Sequence, residues 1–414
     1  MFSSFSTALS GLNANSTAID IIGNNLANLN TTGFKADRIQ FSDLMSQQLG
    51  ATAASAVGLG VAPAQSVMQF QQGSIQQTGG SLDAAISGNG LFVVRDSAGE
   101  QLYTRAGNFT LGADGSLLTA TGEHVEGWLA TAGVVNLTAP LGDISIPLTG
   151  VVPAKATTTI SVNANLNAGA AAGGASGSFS APVQVVDSQG GTHILTFSFA
   201  KTGVNAWSYT VTIPATDLTA GGTTTLASGN LTFNGAGLLT APAAGAPIAV
   251  NVAGLADGAN NMAMTWNLYN PSGQGLLTQF AQNSGVAATN QDGLTSGQIV
   301  DINMGNNGII LANYSNGQQL TVAELALANI QNPETLVSVG NNNLKTTADT
   351  ATPAVGTANS GGRGQVVGGA LEGSTVDIAE QFTNLISAQR SYEANSKVIT
   401  TSDQILQTLI ALKQ

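Results

Sequence analysis

Few residues of this 414-residue chain have side chains that could perform catalysis or bind a metal. Cysteine is absent, which excludes disulfides, thiolate metal ligands and cysteine nucleophiles. The chain has two histidines, His124 and His193, far apart and each in a strand-like segment, so we expect solvent-exposed strand residues and no metal site. Glu123 and Glu126 flank His124, but a carboxylate pair without a recognisable cleft is weak evidence for hydrolysis.

A glycine-rich segment near the C-terminal end is the other candidate for chemistry. Gly361, Gly362 and Gly364 surround Arg363, as glycines do in phosphate-binding loops. No Lys-Ser or Lys-Thr pair follows, and no strand-to-helix pattern surrounds the segment. We therefore interpret these glycines as a hinge. The sequence predicts no catalytic residue and no cofactor, and the chain is not expected to be an enzyme.

The composition limits the possible partners. The formal net charge is −12, and the 11 Lys and Arg residues form no basic stripe, which argues against a nucleic-acid partner. The N-terminal segment lacks the charge and apolar run of a signal peptide, and no apolar stretch approaches the ~20 residues of a membrane span. Only 8% of residues are charged. Such a surface can pack against copies of itself without burying many unpaired charges, so self-association is expected.

The first 30 residues predict an amphipathic helix. Apolar residues recur at steps of three, four and seven, which places them on one stripe, and the opposite face is Ser, Thr and Asn. The stripe consists of Phe2, Phe5, Leu9, Leu12, Ile19, Ile22 and Leu26.

The last 37 residues predict a second amphipathic helix with two apolar stripes. The first stripe consists of Ile378, Phe382, Leu385, Tyr392, Ile399, Leu406 and Ile410. The second runs through Val398, Ile405, Leu409 and Leu412. Two stripes require two neighbours, and one N-terminal helix supplies only one, so other subunits are expected to supply the rest. Ordinary core helices of a globular domain are the alternative, but helices at extreme termini tend to fray unless they are paired.

A group of amides near the end of the first helix has two interpretations. Asn24, Asn25 and Asn28 are either the polar face of the helix or amides buried between subunits that fix their register, as a core Asn does in coiled coils. We favour the second. Gly33 is interpreted as a helix C-cap and hinge, with Phe34 as a hydrophobic anchor to the next segment.

Between the helices the pattern is that of short antiparallel strands separated by Asn-Gly, Ala-Gly and Asp-Gly turns. Residues 145–290 contain just five charged residues, which marks a separate β domain inserted into the first. We predict a mixed α and β, multidomain fold in which the terminal helices pair as a coiled coil beside two mainly antiparallel β domains. The predicted parts are a helical polymerisation domain (1–34 and 371–414), a connecting segment (35–70), an inner β domain (71–144 and 286–370) and an outer inserted β domain (145–285).

Several segments resemble the flagellar axial family, the rod and hook proteins. The longest are residues 8–44, with the motifs NNLAN at 24–28 and TGFK at 32–35, and residues 371–413. Shorter similar blocks occupy residues 87–94, 103–117, 325–344 and 360–365. Rod proteins of this family usually lack a large central domain, so the predicted insert favours the hook over a distal rod-like protein.

The resemblance implies a function and a set of partners. Copies of the chain would form a homopolymer, a hollow curved tube that acts as a universal joint and transmits torque from rod to filament. It would contact the flagellar rod, hook cap and hook–filament junction proteins, and would be exported to the cell exterior by the flagellar type III apparatus without a cleaved signal peptide. Nucleic-acid binding and membrane insertion are not expected. The alternative from another class is a secreted β-rich adhesin, which leaves the terminal helices unexplained.

Overall fold

The computed structural model describes residues 2–44, 47–48, 56–57, 60–148 and 150–411, the side chains of residues 2–3, 47–48, 56–57 and 409 excepted. Within these ranges the chain has two α-helices and is otherwise mostly β-structure in several sheets, nearly all antiparallel. This confirms the predicted mixture of helices and antiparallel β-structure. The chain divides into two units: unit 1 comprises 1–148, 301–312 and 320–414, and unit 2 comprises 149–300 and 313–319.

The two helices of unit 1 lie at opposite ends of the sequence. Helix α1 spans Phe2–Ala27 and helix α2 spans Ile378–Ala411. Asp377 caps α2, because its side chain accepts hydrogen bonds from the backbone N–H groups of Ala379 (2.8 Å) and Glu380 (3.1 Å). The end of α1 lies beside the start of α2, so the two helices form an antiparallel pair, called here the helical hairpin. A supercoiled pairing stays a prediction.

Thirteen strands precede unit 2 in the described part of the chain. They are β1 (Asp37–Gln40), β2 (Gln47–Gln48), β3 (Ala56–Val57), β4 (Gln65–Met68), β5 (Ile75–Gln77), β6 (Ala84–Ser87), β7 (Leu91–Arg95), β8 (Gln101–Thr104), β9 (Thr110–Leu111), β10 (Leu117–Leu118), β11 (His124–Thr131), β12 (Val134–Val135) and β13 (Gly142–Asp143). In the predicted connecting segment, β1 pairs with β4.

Unit 2 contains eleven further strands. They are β14 (Val151–Val152), β15 (Thr159–Asn165), β16 (Ser178–Val186), β17 (Thr192–Gly203), β18 (Ala206–Thr212), β19 (Thr225–Phe233), β20 (Leu239–Ala241), β21 (Ile248–Val252), β22 (Met262–Asn267), β23 (Leu277–Thr278) and β24 (Gly285–Gln291). Strand β24 pairs with β15, so residues 286–291, which the sequence assigned to the inner domain, lie in unit 2.

Nine strands complete the chain before α2. They are β25 (Gly297–Met304), β26 (Ile309–Tyr314), β27 (Gln319–Leu325), β28 (Leu327–Asn329), β29 (Val337–Gly340), β30 (Asn343–Lys345), β31 (Ala354–Gly356), β32 (Gln365–Gly368) and β33 (Ala370–Glu372). In unit 1 the strand order β27-β11-β7-β8-β30-β29 forms the main sheet, and β28 also pairs with β7. One sheet therefore combines strands from before unit 2 (β7, β8 and β11) with strands from the later part of the chain (β27, β29 and β30).

Unit 2 folds around one large core. Two five-stranded sheets, β21-β22-β15-β23 with β24 and β16-β17-β18-β19-β20, contribute inward side chains at every second position. Trp266 lies at the centre, with its ring centroid 4.9 Å from that of Phe197 and 5.2 Å from that of Tyr209. One departure from the antiparallel pattern is β15, which pairs in parallel with β22 and β23.

Candidate assembly surface and its buried junction

The two helices of the hairpin meet through small side chains. Ala18 and Ile22 of α1 pack against Ala388 of α2, with Ile19, Leu385 and Ile39 of β1 half-buried around them. At Gly11 the helices come so close that an added Cβ would lie 3.0 Å from the side-chain amide of Asn395. Small residues at these positions let two backbones approach, while several other large apolar residues of both helices remain exposed.

Asn25 connects both helices to the first strand. Its amide nitrogen donates to the backbone oxygen of Asp37 (2.8 Å) and to Oε1 of Gln381 (3.2 Å), and its Oδ1 accepts from the N–H of Asp37 (2.9 Å). The side chain is 1% exposed and has all of its partners within the chain. The structure therefore places Asn25 between the two helices, where its bonds fix their register, and a second copy could not reach it. Asn24 is exposed, and Asn28 bonds back to it.

Large apolar residues of both helices remain exposed in the described chain. On α2, Ile378, Phe382 and Ile386 are four residues apart and form one ridge, about half exposed. Val398 and Ile405 form a second ridge, which lies about 140–160° around the helix from Phe382 at 100° per residue. Phe5 and Leu9 form a third ridge on α1. Ile386 was absent from the predicted stripes.

The predicted interface residues thus fall into three groups. The exposed ones are Phe5, Leu9, Asn24, Ile378, Phe382, Tyr392, Val398, Ile405 and Ile410. The half-buried ones are Leu12, Ile19, Leu26, Asn28, Leu385, Ile399 and Leu406. Ile22 and Asn25 are buried. The side chains of Phe2 and Leu409 lie outside the described residues, as does Leu412.

A groove runs along the hairpin beside β1. Its volume is about 720 Å³. It is lined by one face of each helix, including Ile21, Asn384 and Ser387, and by Arg38 and the exposed Phe41. The hairpin therefore has convex apolar ridges and a concave groove whose lining is mostly polar.

A buried group of three charged residues joins the base of the hairpin to the sheet of unit 1. Glu372, which is fully buried, accepts from Nζ of Lys35 (2.7 Å) and from Nη1 of Arg105 (2.9 Å). We call these residues the Lys35–Glu372–Arg105 triad. They come from the segment after α1, the segment after β8 and the end of β33. Removing one member of such a buried group costs about 3–5 kcal/mol, because it leaves an uncompensated charge.

Backbone contacts extend the triad into the surrounding segments. Lys35 also donates to the backbone oxygen of Gln71 (2.6 Å), and Arg105 donates to that of Gly88 (2.7 Å). Burial lowers the pKa of Lys35 from its ordinary value, while the hydrogen bond and charge of Glu372 oppose this decrease. The triad therefore holds several segments at one point. No sequence pattern connected these residues, although each lies within or at the edge of a different family-like block.

Gly33 packs against the same junction. Its φ is +69°, its N–H donates to the backbone oxygen of Glu372 (2.8 Å), and an added Cβ would lie 2.6 Å from the backbone of Arg105. The prediction of a C-cap was wrong, because α1 ends at Ala27, well before Gly33. Gly33 is instead a left-handed turn residue in a tight approach. A hinge there stays a prediction.

Arg363 makes several hydrogen bonds within the glycine-rich segment near the C-terminal end. Arg363 donates to the backbone oxygens of Thr357 (2.8 Å) and Ala354 (3.1 Å) and to the hydroxyl of Ser360 (2.7 Å). Gly361 and Gly362 have positive φ values, and an added Cβ at Gly364 would lie 2.3 Å from the backbone oxygen of Ser87. A hinge at these three glycines stays a prediction.

The two glutamates have different hydrogen-bond partners, and the two histidines differ in their exposure to solvent. Glu126 is buried and pairs with Arg95, whereas Glu123 accepts from Asn343 (2.8 Å), so the two carboxylates have separate partners. His124 is half-buried. The prediction that His193 is a solvent-exposed strand residue was wrong: it is 7% exposed and lies among three carboxylates of unit 2.

Four family models match successive parts of the chain. Residues 5–35 match "Flagella basal body rod protein" and residues 367–412 match "Flagellar basal body rod FlgEFG protein C-terminal". Residues 85–165 match "Flagellar hook protein FlgE/F/G D1 domain", and residues 157–294 match "Flagellar basal body protein FlaE D2 domain". All four describe axial proteins of the bacterial flagellum, and the terminal models cover both helices.

Full-length relatives distinguish hook from rod. The flagellar hook protein FlgE of Salmonella typhimurium is 38% identical over 99% of this chain and 100% of its own length. The hook proteins of Escherichia coli and Borreliella burgdorferi are 37% and 34% identical, over 99% and 100% of this chain and the whole of their own. The chain belongs to the flagellar hook protein family. Its function is that of a structural hook subunit, and the rod-like and adhesin alternatives are not favoured.

A solved structure shares the fold of this chain. The crystal structure of Helicobacter pylori flagellar hook protein FlgE2 resembles this fold with a TM-score of 0.51 and 15% identity, over 70% of this chain and 99% of that one. In the described part of the chain, neither helix has a stretch long and apolar enough to cross a lipid bilayer.

Proposed function

We propose that this hook subunit polymerises through the exposed ridges of its helical hairpin into a hollow curved tube that acts as a universal joint. The observation that carries the proposal is the way the side chains of the hairpin pack. This packing buries Ala18 and Ala388 within the chain and leaves Phe382 and Ile386 about half exposed. Exposed apolar patches of this kind mark interaction surfaces, and ridges on opposite sides of α2 call for more than one neighbour.

The partner that covers the exposed surface of the hairpin is another copy of the same chain. The apolar ridges on α1 and α2 of one copy can pack against those of the next, and the groove beside β1 offers polar side chains to a neighbouring chain. Because both features lie on one chain, each copy can donate a ridge and accept one, which generates an open helical polymer. Low overall charge lowers the desolvation cost of these contacts.

Torque transmission requires the assembled helices to be joined firmly to the rest of each subunit. The Lys35–Glu372–Arg105 triad supplies that connection in unit 1, because it ties both ends of the hairpin's base to the sheet. Unit 2, with its nearly uncharged exterior, is proposed as the outer domain whose weak contacts re-form as the tube rotates while bent. The terminal segments 1–34 and 371–414 would form the inner tube, and the domain bounds predicted from the sequence remain part of the proposal.

The remaining partners follow from a position in the hook. One end of the polymer would contact rod proteins, and the other would contact the hook cap during growth and the hook–filament junction proteins afterwards. Export would use the flagellar type III apparatus, which would place the chain outside the cell. The chain is proposed to need no cofactor and to have no catalytic activity.

Phe382→Asp tests the assembly surface. A charge at the centre of the first ridge should prevent polymerisation, because it would be buried unpaired between copies at a cost of several kcal/mol. The isolated monomer should keep its stability within about 0.5 kcal/mol, because Phe382 is half exposed there. Sedimentation and electron microscopy of the concentrated protein measure assembly, and chemical unfolding measures stability.

Thr383→Asp is the matched control. It introduces the same charge on the next residue, about 100° around the helix and outside the ridges, at another exposed position. We expect this variant to form tubes. Normal tubes from Phe382→Asp, or equal loss of assembly in both variants, would contradict the proposed role of the ridge.

A further inference from the structure

His193 lies at the centre of three aspartates in unit 2. Its Nε2 is 3.0 Å from Oδ2 of Asp187 and 3.4 Å from Oδ2 of Asp257, and its Nδ1 is 3.1 Å from Oδ2 of Asp217. The four residues come from four places: the turn after β16, the start of β17, a 3-10 turn at Ala215–Asp217 and the turn after β21. The β16–β17 hairpin and two segments more distant in sequence thus bring polar side chains to one point.

The hydrogen bonding of the imidazole requires a cation at Nε2. An ionised Asp217 can only accept a hydrogen bond, so Nδ1 carries the proton that faces it, and Nε2 is directed at the carboxylates of Asp187 and Asp257. A neutral imidazole with its proton on Nδ1 would have a lone pair on Nε2 facing two carboxylate oxygens, which is repulsive. Either a proton or a metal ion must therefore lie between these atoms. A carboxylate that fixes the second nitrogen of a ligating histidine is the usual arrangement at metal sites.

The spacing of the three ligand atoms suits a metal ion. One oxygen each from Asp187 and Asp257 and a nitrogen of His193 all lie within 4.8 Å of one another. Around a four-coordinate ion with bonds of 2.0–2.1 Å, neighbouring ligands are about 3.3 Å apart. The Nε2–Oδ2 distances of 3.0 and 3.4 Å lie on either side of that value.

The backbone around Asp187 holds the arrangement in place. The Oδ1 atom accepts from the N–H groups of Gln189 (2.7 Å) and Gly191 (2.9 Å), which leaves Oδ2 directed at the centre. An added Cβ at Gly191 would lie 2.4 Å from Oδ2 of Asp187 and 3.2 Å from Oδ2 of Asp257. The glycine therefore keeps open the space in which the two carboxylates meet.

Charge and access also favour a divalent ion. Three carboxylates surround one imidazole, and among the described residues no Lys or Arg forms an ion pair with any of them. A single proton on His193 leaves two negative charges without compensation. Asp187 is fully buried, but the side chain of Asp257 is 37% exposed, so an ion and its water ligands can reach the centre from solvent.

We propose that Asp187, His193 and Asp257 bind a divalent transition metal of the Zn²⁺ class, with Asp217 orienting the imidazole. One nitrogen and two carboxylate oxygens form three protein ligands, and water completes the coordination. The imidazole ligand favours Zn²⁺ and its neighbours over Ca²⁺ and Mg²⁺, which prefer oxygen ligands alone. The bound ion would connect the turns after β16 and β21 and so stiffen one end of unit 2.

The test is calorimetric titration of the full-length, chelator-treated monomer with ZnCl₂ and, separately, with CaCl₂. We expect one saturable Zn²⁺ site per chain, at least about tenfold tighter than Ca²⁺. Binding should release a proton below neutral pH, because Zn²⁺ and the proton compete for Nε2. Asp257→Asn, at the exposed ligand, should weaken Zn²⁺ binding at least tenfold, and Asp217→Asn should weaken it by about 10–100-fold.

The chain offers matched controls for each ligand. His193→Gln should abolish Zn²⁺ binding, whereas His124→Gln, at the other histidine, should leave it unchanged. Asp301→Asn removes an exposed carboxylate outside the cluster and should match the parent chain. Absence of saturable Zn²⁺ binding, equal affinity for Ca²⁺, or unchanged binding by Asp257→Asn would overturn the proposal and leave the imidazolium as the occupant of the centre.

Discussion

Trp207 and Trp266 of unit 2 are fully buried, whereas Phe382 and Ile386 of the helical hairpin are 48% and 52% exposed in the same chain. Unit 2 packs its largest side chains against its own second sheet and so completes its core alone. The hairpin buries Ile22 among small and amide side chains and leaves several of its other large apolar residues exposed. Apolar content alone therefore does not distinguish a core from an interface; what distinguishes them is which sizes of side chain face inward.

The largest expected effect of a substitution is in the core of unit 2. Trp266→Ala should reduce the free energy of unfolding of unit 2 by about 3–5 kcal/mol, because it leaves a cavity among Phe197, Phe199 and Tyr209. Urea unfolding followed by near-UV circular dichroism measures the change. Val204→Ala, at a 90% exposed residue, should stay within about 0.5 kcal/mol. A small effect of Trp266→Ala would remove the contrast between the two regions.

An intermediate effect is expected where the helices touch. Ala18→Leu should destabilise the helical hairpin of the isolated monomer by about 1–3 kcal/mol, because the added atoms overpack the contact with Ala388. The loss should be visible as an earlier decrease of the helical circular dichroism signal on heating. Thr17→Leu places the same leucine side chain at the adjacent, exposed position and should not lower the stability of the helices. If both variants behave alike, the helices do not meet through their small residues.

The smallest effect is a pH dependence confined to unit 2. Burial alone would lower the pKa of His193, but hydrogen bonds to Asp217 and Asp187 outweigh it and raise the pKa above 6.5. The resulting stability is fully present below the unfolded value and is lost as pH rises through the raised folded value. Asp187 affects stability at acid pH. Because its pKa is lowered in the folded state, it contributes stability that is lost as pH falls below about 3.8.

Unfolding of the chelator-treated monomer between pH 6 and pH 9, followed through the tryptophans of unit 2, measures this dependence. We expect stability to decline as pH rises, and we expect His193→Gln to remove most of the decline. The helical signal of the hairpin should not follow the same curve. A stability that increases with pH in this range would contradict the charge assignment at His193.

The terminal helices and the β-rich middle could be predicted because each depends on a local repeat. The three-four spacing of Phe5, Leu9 and Leu12 identified α1, but not the side that meets α2. That side combines Ile22 of the stripe with small residues such as Ala18 and Gly11, which do not contribute to a hydrophobic stripe. Conversely, the exposed Ile386 lies off the chosen stripe, since spacing shows which residues share a face and not what covers it.

The burial of His193 had a signal that the sequence interpretation missed. In β17 it has the same parity as Leu195, Phe197 and Phe199, which are all buried, so the two-residue period places it on the inward face. Its aspartate partners could not be predicted, because they come from three turns whose meeting depends on the packing of both sheets. The Lys35–Glu372–Arg105 triad was hidden for the same reason, since each member is a single charge in a separate block.

The triad also has a consequence for the order of events during synthesis. Lys35 and Glu372 are 337 residues apart, and closing a flexible loop of that length costs about 5 kcal/mol of chain entropy. Within unit 2, His193 and Asp187 are only 6 residues apart, and most of the unit is one continuous stretch. Unit 2 can therefore fold while translation continues, whereas the N-terminal helix must wait for the ribosome to deliver Glu372 and α2. Until α2 has been synthesised, the helical hairpin and its exposed ridges are incomplete. A nascent chain should therefore not start polymerisation prematurely.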